Sequence, residues 1–281
     1  MHDIWVNESN GHQFSPAFQP TQATHTLHKM QGHWVLVSVG KRVLRPGGLA
    51  LTRRMLDALA IGRQDRVVEF APGLGVTARM VLERHPAAYS AVEREPAAAE
   101  GLRCQMGKTA AQIVEGEVQK SGLPNGCASV VYGEAMLSMQ RPEQKSRIFA
   151  EARRLLAPRG RYGIHELCFL ADDISPALRR EIQAELSKEI HVGVQLLSRA
   201  EWADMFEQNG MHVDWSSEAP MHLLEPWRML ADEGFIGGLR IVFNVLSKPA
   251  LRHRILAMRR LFRRYEKHLG AISIVGTVRE G

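Results

Sequence analysis

The 281-residue sequence predicts an α/β fold, a mostly parallel sheet with helices on both of its faces. Two observations lead to this class. Residues 66–78 join a short apolar run to a glycine turn and then to a helical segment, and similar apolar runs alternate with helical periods as far as residue 167. In each such unit the helix carries the chain back, so that the next strand runs in the same direction as the one before. The strands would therefore be parallel, with their carboxyl ends at one edge of the sheet.

Five apolar runs are interpreted as the parallel strands, at residues 67–70, 89–92, 113–114, 128–132 and 162–167. Helical periods separate or precede them, at residues 49–61, 77–83, 97–105 and 145–156. Two later helices and two closing strands are predicted at residues 172–186, 198–209, 211–215 and 271–275.

The segment after the first strand indicates a ligand. Pro72 has no amide donor, and Gly73 and Gly75 leave no side chain between the backbone and a molecule lying over the turn. The amides that open the next helix have no intrahelical acceptors and favour a polar or anionic group. A nucleotide-like cofactor is expected here. The run from Gly73 to Ala78 also satisfies the dinucleotide pattern G-x-G-x-x-A, with an acid at Glu93, so a nicotinamide cofactor stays open.

The residues from Glu69 to Gly75 read Glu-Phe-Ala-Pro-Gly-Leu-Gly. They resemble motif I of the class I S-adenosylmethionine-dependent methyltransferases, written (D/E)-h-G-x-G-x-G, with Ala71 in place of the first glycine. Further segments in the family's order resemble its later motifs: Gly116-Glu117-Val118, Ser129 to Tyr132, and Ala157 to Arg161 before the fifth strand. The overall pattern is similar to the ubiquinone- and menaquinone-biosynthesis-like branch of small-molecule methyltransferases.

The resemblance implies a Rossmann-like sheet of seven strands, with the seventh antiparallel between the fifth and sixth. Residues 1–48 would form an arm or lid, and residues 49–225 with 270–281 the methyltransferase domain. Residues 226–269 would be a helical cap inserted between strands six and seven, over the pocket.

The resemblance also implies site residues. Glu93 would accept hydrogen bonds from the ribose hydroxyls and Glu117 one from the adenine amino group. The full cofactor-binding set would be Glu69, Ala71, Pro72, Gly73, Gly75, Glu93, Arg94, Gly116, Glu117, Val118, Gly133 and Glu134. The expected general-base candidates are His165 and Glu134. The expected substrate-binding residues are His33, Trp34, His165, His191 and Trp227. No metal-ligand pattern is evident, so no metal is expected.

The predicted activity is in-line transfer of a methyl group from S-adenosylmethionine to a small acceptor, lipophilic or acidic, with S-adenosylhomocysteine as the product. A sulfonium methyl group is already activated, so alignment in a dry site can supply most of the rate. Two alternatives stay open: an NAD(P)-dependent oxidoreductase, and a non-catalytic cofactor-binding module that presents its basic helix to a partner or membrane. The sequence leaves the methylated atom and the oligomeric state undecided.

Composition and charge limit the location and the classes of partner that we expect for this protein. The N-terminus lacks the basic and apolar regions of a signal peptide, and no apolar stretch is long enough to span a membrane, so a cytoplasmic protein is expected. The net charge is +6, and the segment from Arg252 to Lys267 carries that whole excess. A protein-wide nucleic-acid footprint is therefore not expected. The basic helix at residues 251–268 has three readings: a solvated face, a contact for an acidic substrate, or a peripheral contact with a membrane.

Overall fold

A computed structural model describes residues 30–107 and 111–279. Most of the predicted arm, residues 1–29, lies outside the described residues. The strands are β1 (Arg66–Phe70), β2 (Ala88–Glu93), β3 (Ala111–Glu115), β4 (Ala128–Glu134), β5 (Leu156–Phe169), β6 (Leu197–Ser198), β7 (Met211–Pro220) and β8 (Leu269–Val278).

The eight strands of the described residues belong to one sheet, in the order β3-β2-β1-β4-β5-β8-β7, with β6 paired to β5 beside this path. Strands β1 to β6 are mutually parallel, and β8 runs antiparallel between β5 and β7. The Rossmann-like prediction is therefore confirmed, including the closing antiparallel strand. The count of seven strands omitted β6, which has only two residues and gives no period in the sequence.

Helices cover both faces of the sheet. They are α1 (Gly32–Ser38), α2 (Gly48–Ala58), α3 (Val76–Leu82), α4 (Pro96–Met106), α5 (Pro142–Leu155), α6 (Pro176–Ile190), α7 (Arg199–Gln208), α8 (Pro226–Ser247) and α9 (Pro249–Arg264). Helices α2, α3 and α4 pack in one buried cluster with β1 and β2, while α5 and α7 pack in another with β4 and β5. A third cluster joins α1, α6 and α9 to the ends of β5 and β8.

Some predicted bounds were wrong. Helix α6 begins at Pro176, not at residue 172, because Ser175 caps it by accepting from the Leu178 amide, and it continues to Ile190. Strand β5 begins at Leu156, so it includes the predicted link at residues 157–161. Strand β7 continues to Pro220 because β8 pairs with it over its whole length.

Helices α8 and α9 follow β7 and precede β8, where the inserted segment was predicted. Gly234, at φ 73° and ψ 173°, separates α8 into two parts. Two buried carboxylates attach the first part to the chain before α2. Glu233 Oε1 accepts from the Arg42 and Val43 amides at 2.8 Å each, and Asp232 Oδ1 accepts from the Leu49 amide at 3.0 Å. Within the described ranges, no helix is both long and apolar enough to cross a bilayer.

Candidate active site

The glycine turn after β1 has the geometry expected of a ligand cradle. Ala71 and Gly73 adopt φ values of 51° and 55°, and the Ala71 amide donates to the Val92 carbonyl at 2.9 Å. A Cβ built on Gly73 would meet no heavy atom within 4 Å, so space is open directly over the turn. Ala71 stands where motif I has glycine, and it adopts the left-handed conformation that glycine takes without strain.

Glu93 ends β2 beside this turn and is almost fully buried. Its Oε2 accepts from the Gly73 amide at 3.2 Å, and its Oε1 accepts from the Glu95 amide at 3.0 Å. The carboxylate therefore joins the loops that follow β1 and β2. The predicted ribose ligand and the predicted glycine turn are in direct contact.

The segment after β3 lies at the same edge. The Gly116 amide donates to the Glu93 carbonyl at 3.0 Å, and a Cβ built on Gly116 would meet no atom within 4 Å. The side chains of Glu117 and Arg94 are exposed, whereas Val118 is buried in the core. Open backbone and an exposed carboxylate are thus available next to Glu93.

Glu69 is placed differently from the other predicted cofactor residues. Its side chain is buried within the sheet, and its Oε2 accepts hydrogen bonds from Tyr89 Oη and, at 2.5 Å, from Tyr132 Oη. Burial raises the pKa of Glu69 to about 7, against the opposing effect of the two tyrosine hydrogen bonds. A direct contact of Glu69 with a cofactor stays a prediction. In the structure, its hydrogen bonds with the two tyrosines support β1 from the interior of the sheet, beneath the turn.

Glu134, the last residue of β4, meets His165 of the neighbouring strand β5. His165 Nδ1 lies 2.8 Å from Glu134 Oε1, and His165 Nε2 lies 2.6 Å from the Pro46 carbonyl oxygen. Thr52 Oγ1 donates to Glu134 Oε1 at 2.6 Å, and Thr77 Oγ1 donates to Glu134 Oε2 at 2.5 Å.

The charge of Glu134 follows from its partners. Arg45 Nε is 3.1 Å from Glu134 Oε1. Burial would raise the pKa of Glu134, but the charge of Arg45 and the hydrogen bond from His165 outweigh it and hold the pKa at about 2. His165 is fully buried, with one ring nitrogen on the Glu134 carboxylate and the other on the Pro46 carbonyl. A role of either side chain as a general base would therefore require these contacts to separate.

An apolar cavity lies beside this pair, bounded by Pro46 and by Ala135, which directly follows Glu134. Its apolar walls come mainly from α1, α6, α9 and the segment after β7, through Leu36, Leu44, Leu186, Ile190, Val194, Met221, Leu223, Met258 and Phe262. Three polar side chains also line it: His33, Ser138 and Glu166. Ser138 donates to Glu166 at 2.7 Å, so these two polar groups already have partners.

No family model matches the chain. An uncharacterised protein of Haemophilus influenzae is 26% identical over 247 residues, which cover 86% of this chain and 96% of that protein. The solved structure of the MccD protein superposes with a TM-score of 0.66 at 13% identity, over 84% of this chain and 99% of that one. Phosphoethanolamine N-methyltransferase 2 of Haemonchus contortus, solved with phosphomonomethylethanolamine and S-adenosylhomocysteine, gives a TM-score of 0.65 at 13% identity, over 93% of this chain and 59% of that one.

The strand order decides the fold among doubly wound sheets. A dinucleotide-binding sheet runs 3-2-1-4-5-6 with parallel strands, whereas this sheet ends with the antiparallel β8 between β5 and β7. The chain has the class I methyltransferase fold. In this methyltransferase fold, the turn after β1 and the ends of β2, β3 and β4 form one continuous edge. Gly133 backs that edge, since a Cβ there would lie 3.3 Å from Phe70 Cβ.

The predicted substrate residues of the methyltransferase fold separate into two groups. His33 lines the cavity, and the Trp34 ring packs against it at a tilt of 46°, with 4.9 Å between ring centroids. His191 and Trp227 do not line the cavity. His191 ends α6 with φ 56° and an exposed side chain, and Trp227 is 53% exposed beside His222.

Several residues of the site gave no clear signal in the sequence. Thr52, Thr77 and Arg45 are common residue types in a helix or turn, and only the fold brings them to Glu134. Tyr89 was assigned to a strand, but nothing in the sequence linked it to Glu69. Within residues 30–107 and 111–279, no group of three or more His, Cys, Asp or Glu side chains could hold a metal ion.

Proposed function

We propose that this protein is an S-adenosylmethionine-dependent methyltransferase that acts on a small, largely apolar acceptor. The observation that carries the proposal is the contact of the Glu93 carboxylate with the Gly73 amide, at 3.2 Å, beneath open space at the end of β1. A buried acid beside an uncovered glycine turn suits a ligand with a ribose diol and a polar tail. The apolar cavity begins one strand away, at the end of β4.

The residues of this edge fit the cofactor. Glu93 would accept from the ribose hydroxyls, and the exposed Glu117 would accept from the adenine amino group. The uncovered backbone at Gly73 and Gly116 leaves room for close approach. When bound, the cofactor supplies an activated methyl group. Ala71 and Gly133 would hold the turn in shape beneath it, and Glu69 would do so through its tyrosine partners.

The acceptor site would be the apolar cavity, whose walls exclude water and favour an apolar molecule. Burial lowers the pKa of His33, so its imidazole is neutral at pH 7 and can accept a proton from the attacking group. Glu134 and His165 would act as positioning residues, since their contacts with Arg45 and the Pro46 carbonyl fix that segment against β4 and β5. Ala135 would form part of the cavity wall next to Glu134.

A calorimetric titration tests the cofactor class. S-adenosylmethionine and S-adenosylhomocysteine should each bind with micromolar affinity, and NAD(H) should give no heat above dilution. Binding of NAD(H) alone would favour the oxidoreductase alternative. If the cofactor binds, consumption of radiolabelled S-adenosylmethionine should then accelerate with an acceptor from an apolar small-molecule panel. Tight cofactor binding without turnover across that panel would favour the non-catalytic module.

A further inference from the structure

The exposed apolar side chains of the described residues are concentrated in one place. Among the described residues, every exposed large apolar side chain lies between residues 227 and 256. Ile236 is 83% exposed, Phe235 72% and Phe243 71%. The full set is Trp227, Leu230, Phe235, Ile236, Leu239, Val242, Phe243, Leu246 and Leu256. A concentration of this kind marks an interaction surface, since isolated exposed apolar residues are normally scattered.

The second part of α8 presents most of these side chains on one side. We define the α8 face as Phe235, Ile236, Leu239, Val242, Phe243 and Leu246. The opposite side of the helix is also apolar, and there Gly238 and Ile241 are buried against the rest of the protein. A helix that is apolar on all sides is normally covered on all sides. Here one apolar side is docked and the other is in contact with solvent.

The exposed charged side chains of α8 and α9 have one sign. Asp232 and Glu233 are the only acids of α8 and α9, and both are buried against the chain before α2. Arg259 and Arg263 pair with Glu225, and Arg264 pairs with Glu185. The remaining exposed cations have no acidic partner among the described residues, and they are Arg240, Lys248, Arg252 and Arg260.

We propose that the α8 face docks on the surface of an anionic lipid bilayer. Aromatic and aliphatic side chains that border unpaired cations are the composition that binds such a surface in the plane of the interface. The apolar side chains would enter the boundary of the acyl chains, while Arg240, Lys248 and Arg252 would meet anionic headgroups. The sequence alone indicated the basic helix at residues 251–268; the structure adds the exposed apolar side chains, and most of these belong to α8.

Charge also argues against a second copy of this chain as the occupant. A two-fold dimer through this face would bring the unpaired cations of both copies, all of one sign, into the same interface. Such contacts between like charges are unfavourable. An RNA would satisfy the cations but would leave the apolar side chains of the α8 face in water.

The proposal concerns binding and does not depend on methyl transfer. It is compatible with the proposed acceptor, because α9 packs on α8 and also supplies Met258 and Phe262 to the apolar cavity. A protein docked through α8 would hold that cavity close to a store of lipophilic molecules.

The test is co-sedimentation of the full chain with vesicles of phosphatidylcholine alone and with 30% phosphatidylglycerol, at physiological salt. The chain should bind the anionic vesicles much more strongly. The triple variant F235S/I236S/F243S should bind them at least roughly 100-fold more weakly, because its apolar contacts are removed. The variant R240Q/R252Q should lose about 30-fold, from two headgroup interactions. The matched control R63Q/R147Q removes two exposed arginines elsewhere and should bind as the parent chain does.

Each other outcome overturns the proposal. One is the absence of binding to anionic vesicles, and another is unchanged binding by the triple variant. A third is a dimer in analytical ultracentrifugation that the triple variant abolishes, without vesicle binding, and a fourth is RNA binding alone. The substituted side chains are exposed, so circular dichroism and the unfolding midpoint should match the parent chain. The triple variant should still bind S-adenosylhomocysteine in calorimetry. Retained binding distinguishes a loss of vesicle binding from a failure of the proposed enzymatic function.

Discussion

The Glu134 carboxylate and the His165 ring are in direct buried contact, with 2.8 Å between Glu134 Oε1 and His165 Nδ1. Glu134 is the last residue of β4, and it pairs with His165 within the neighbouring strand β5. Their further partners, Arg45 and the Pro46 carbonyl, belong to the segment before α2. The pair therefore attaches that segment to the sheet edge where the cofactor and acceptor are proposed to meet.

Glu134→Gln should destabilise the protein strongly. The substitution leaves Arg45 buried without its counter-charge, which typically costs about 3–5 kcal/mol. Urea unfolding at pH 7 measures the change. The matched control is Glu115→Gln, which removes an exposed partner of Arg103 and should change little. Equal effects of the two substitutions would contradict a buried, charged pair.

Glu69 should make stability depend on pH between about 4.5 and 7. Its pKa is raised in the folded protein, from 4.5 to about 7, so the folded state holds a proton that the unfolded state releases. Stability from this group is full below pH 4.5 and is lost as pH rises through 7. Glu69→Gln keeps an acceptor for both tyrosines without a charge. Urea unfolding at pH 5 and pH 8 gives the free energy of unfolding of the variant minus that of the parent. This difference should therefore be larger at pH 8 than at pH 5, by about 3 kcal/mol. A gain that is the same at both pH values would show that Glu69 is ionised in the folded state at pH 5.

Ala71→Gly should stabilise the protein by about 0.5–1 kcal/mol. The φ of 51° at Ala71 is a strained conformation for a residue with a Cβ, and glycine relieves that strain at some cost in chain entropy. Thermal unfolding measures the difference. Ala150→Gly, at an exposed position within α5, should instead destabilise by about 1 kcal/mol. If both substitutions destabilise alike, Ala71 is not strained.

His33→Asn should lower kcat for an acceptor that must lose a proton, by roughly 10²–10⁴-fold, because His33 lines the cavity with a neutral imidazole whereas Ser138 and Glu166 are hydrogen-bonded to each other. The affinity for S-adenosylhomocysteine should not change. His191→Asn is the control, since asparagine tolerates the positive φ there and the side chain is exposed. Loss of activity in the His191 variant alone would move the acceptor site to the end of α6.

The sequence predicted the sheet well because its strands are apolar and its turns are punctuated by glycine and proline. The contact of Glu93 with Gly73 could be expected from it, since parallel strands end at one edge. The role of His165 could not be predicted from the sequence. A histidine in an apolar strand gives the same signal whether it faces a pocket or contacts Glu134 and Pro46. That distinction depends on side-chain partners far apart in the sequence.

The sequence also could not predict which side of α8 is exposed. Its residues are apolar on both sides, so no hydrophobic period indicates which side is covered. Asp232 and Glu233 would be read as solvated acids at this position, but tertiary contacts with Arg42 and Leu49 bury them. Tertiary packing thus determines both the apolar surface and the sign of the charge around it.

The most direct test of the central claim is calorimetric titration of S-adenosylhomocysteine into Glu93→Ala and Glu95→Ala. Glu93 places its carboxylate at the Gly73 turn, whereas Glu95 is exposed and contributes only its amide to that carboxylate. Affinity should fall by at least about tenfold in the Glu93 variant, through loss of charge-assisted hydrogen bonds, and stay at the parent value in the Glu95 variant. Unchanged affinity in the Glu93 variant, with the fold intact by circular dichroism, would contradict a cofactor site at this turn.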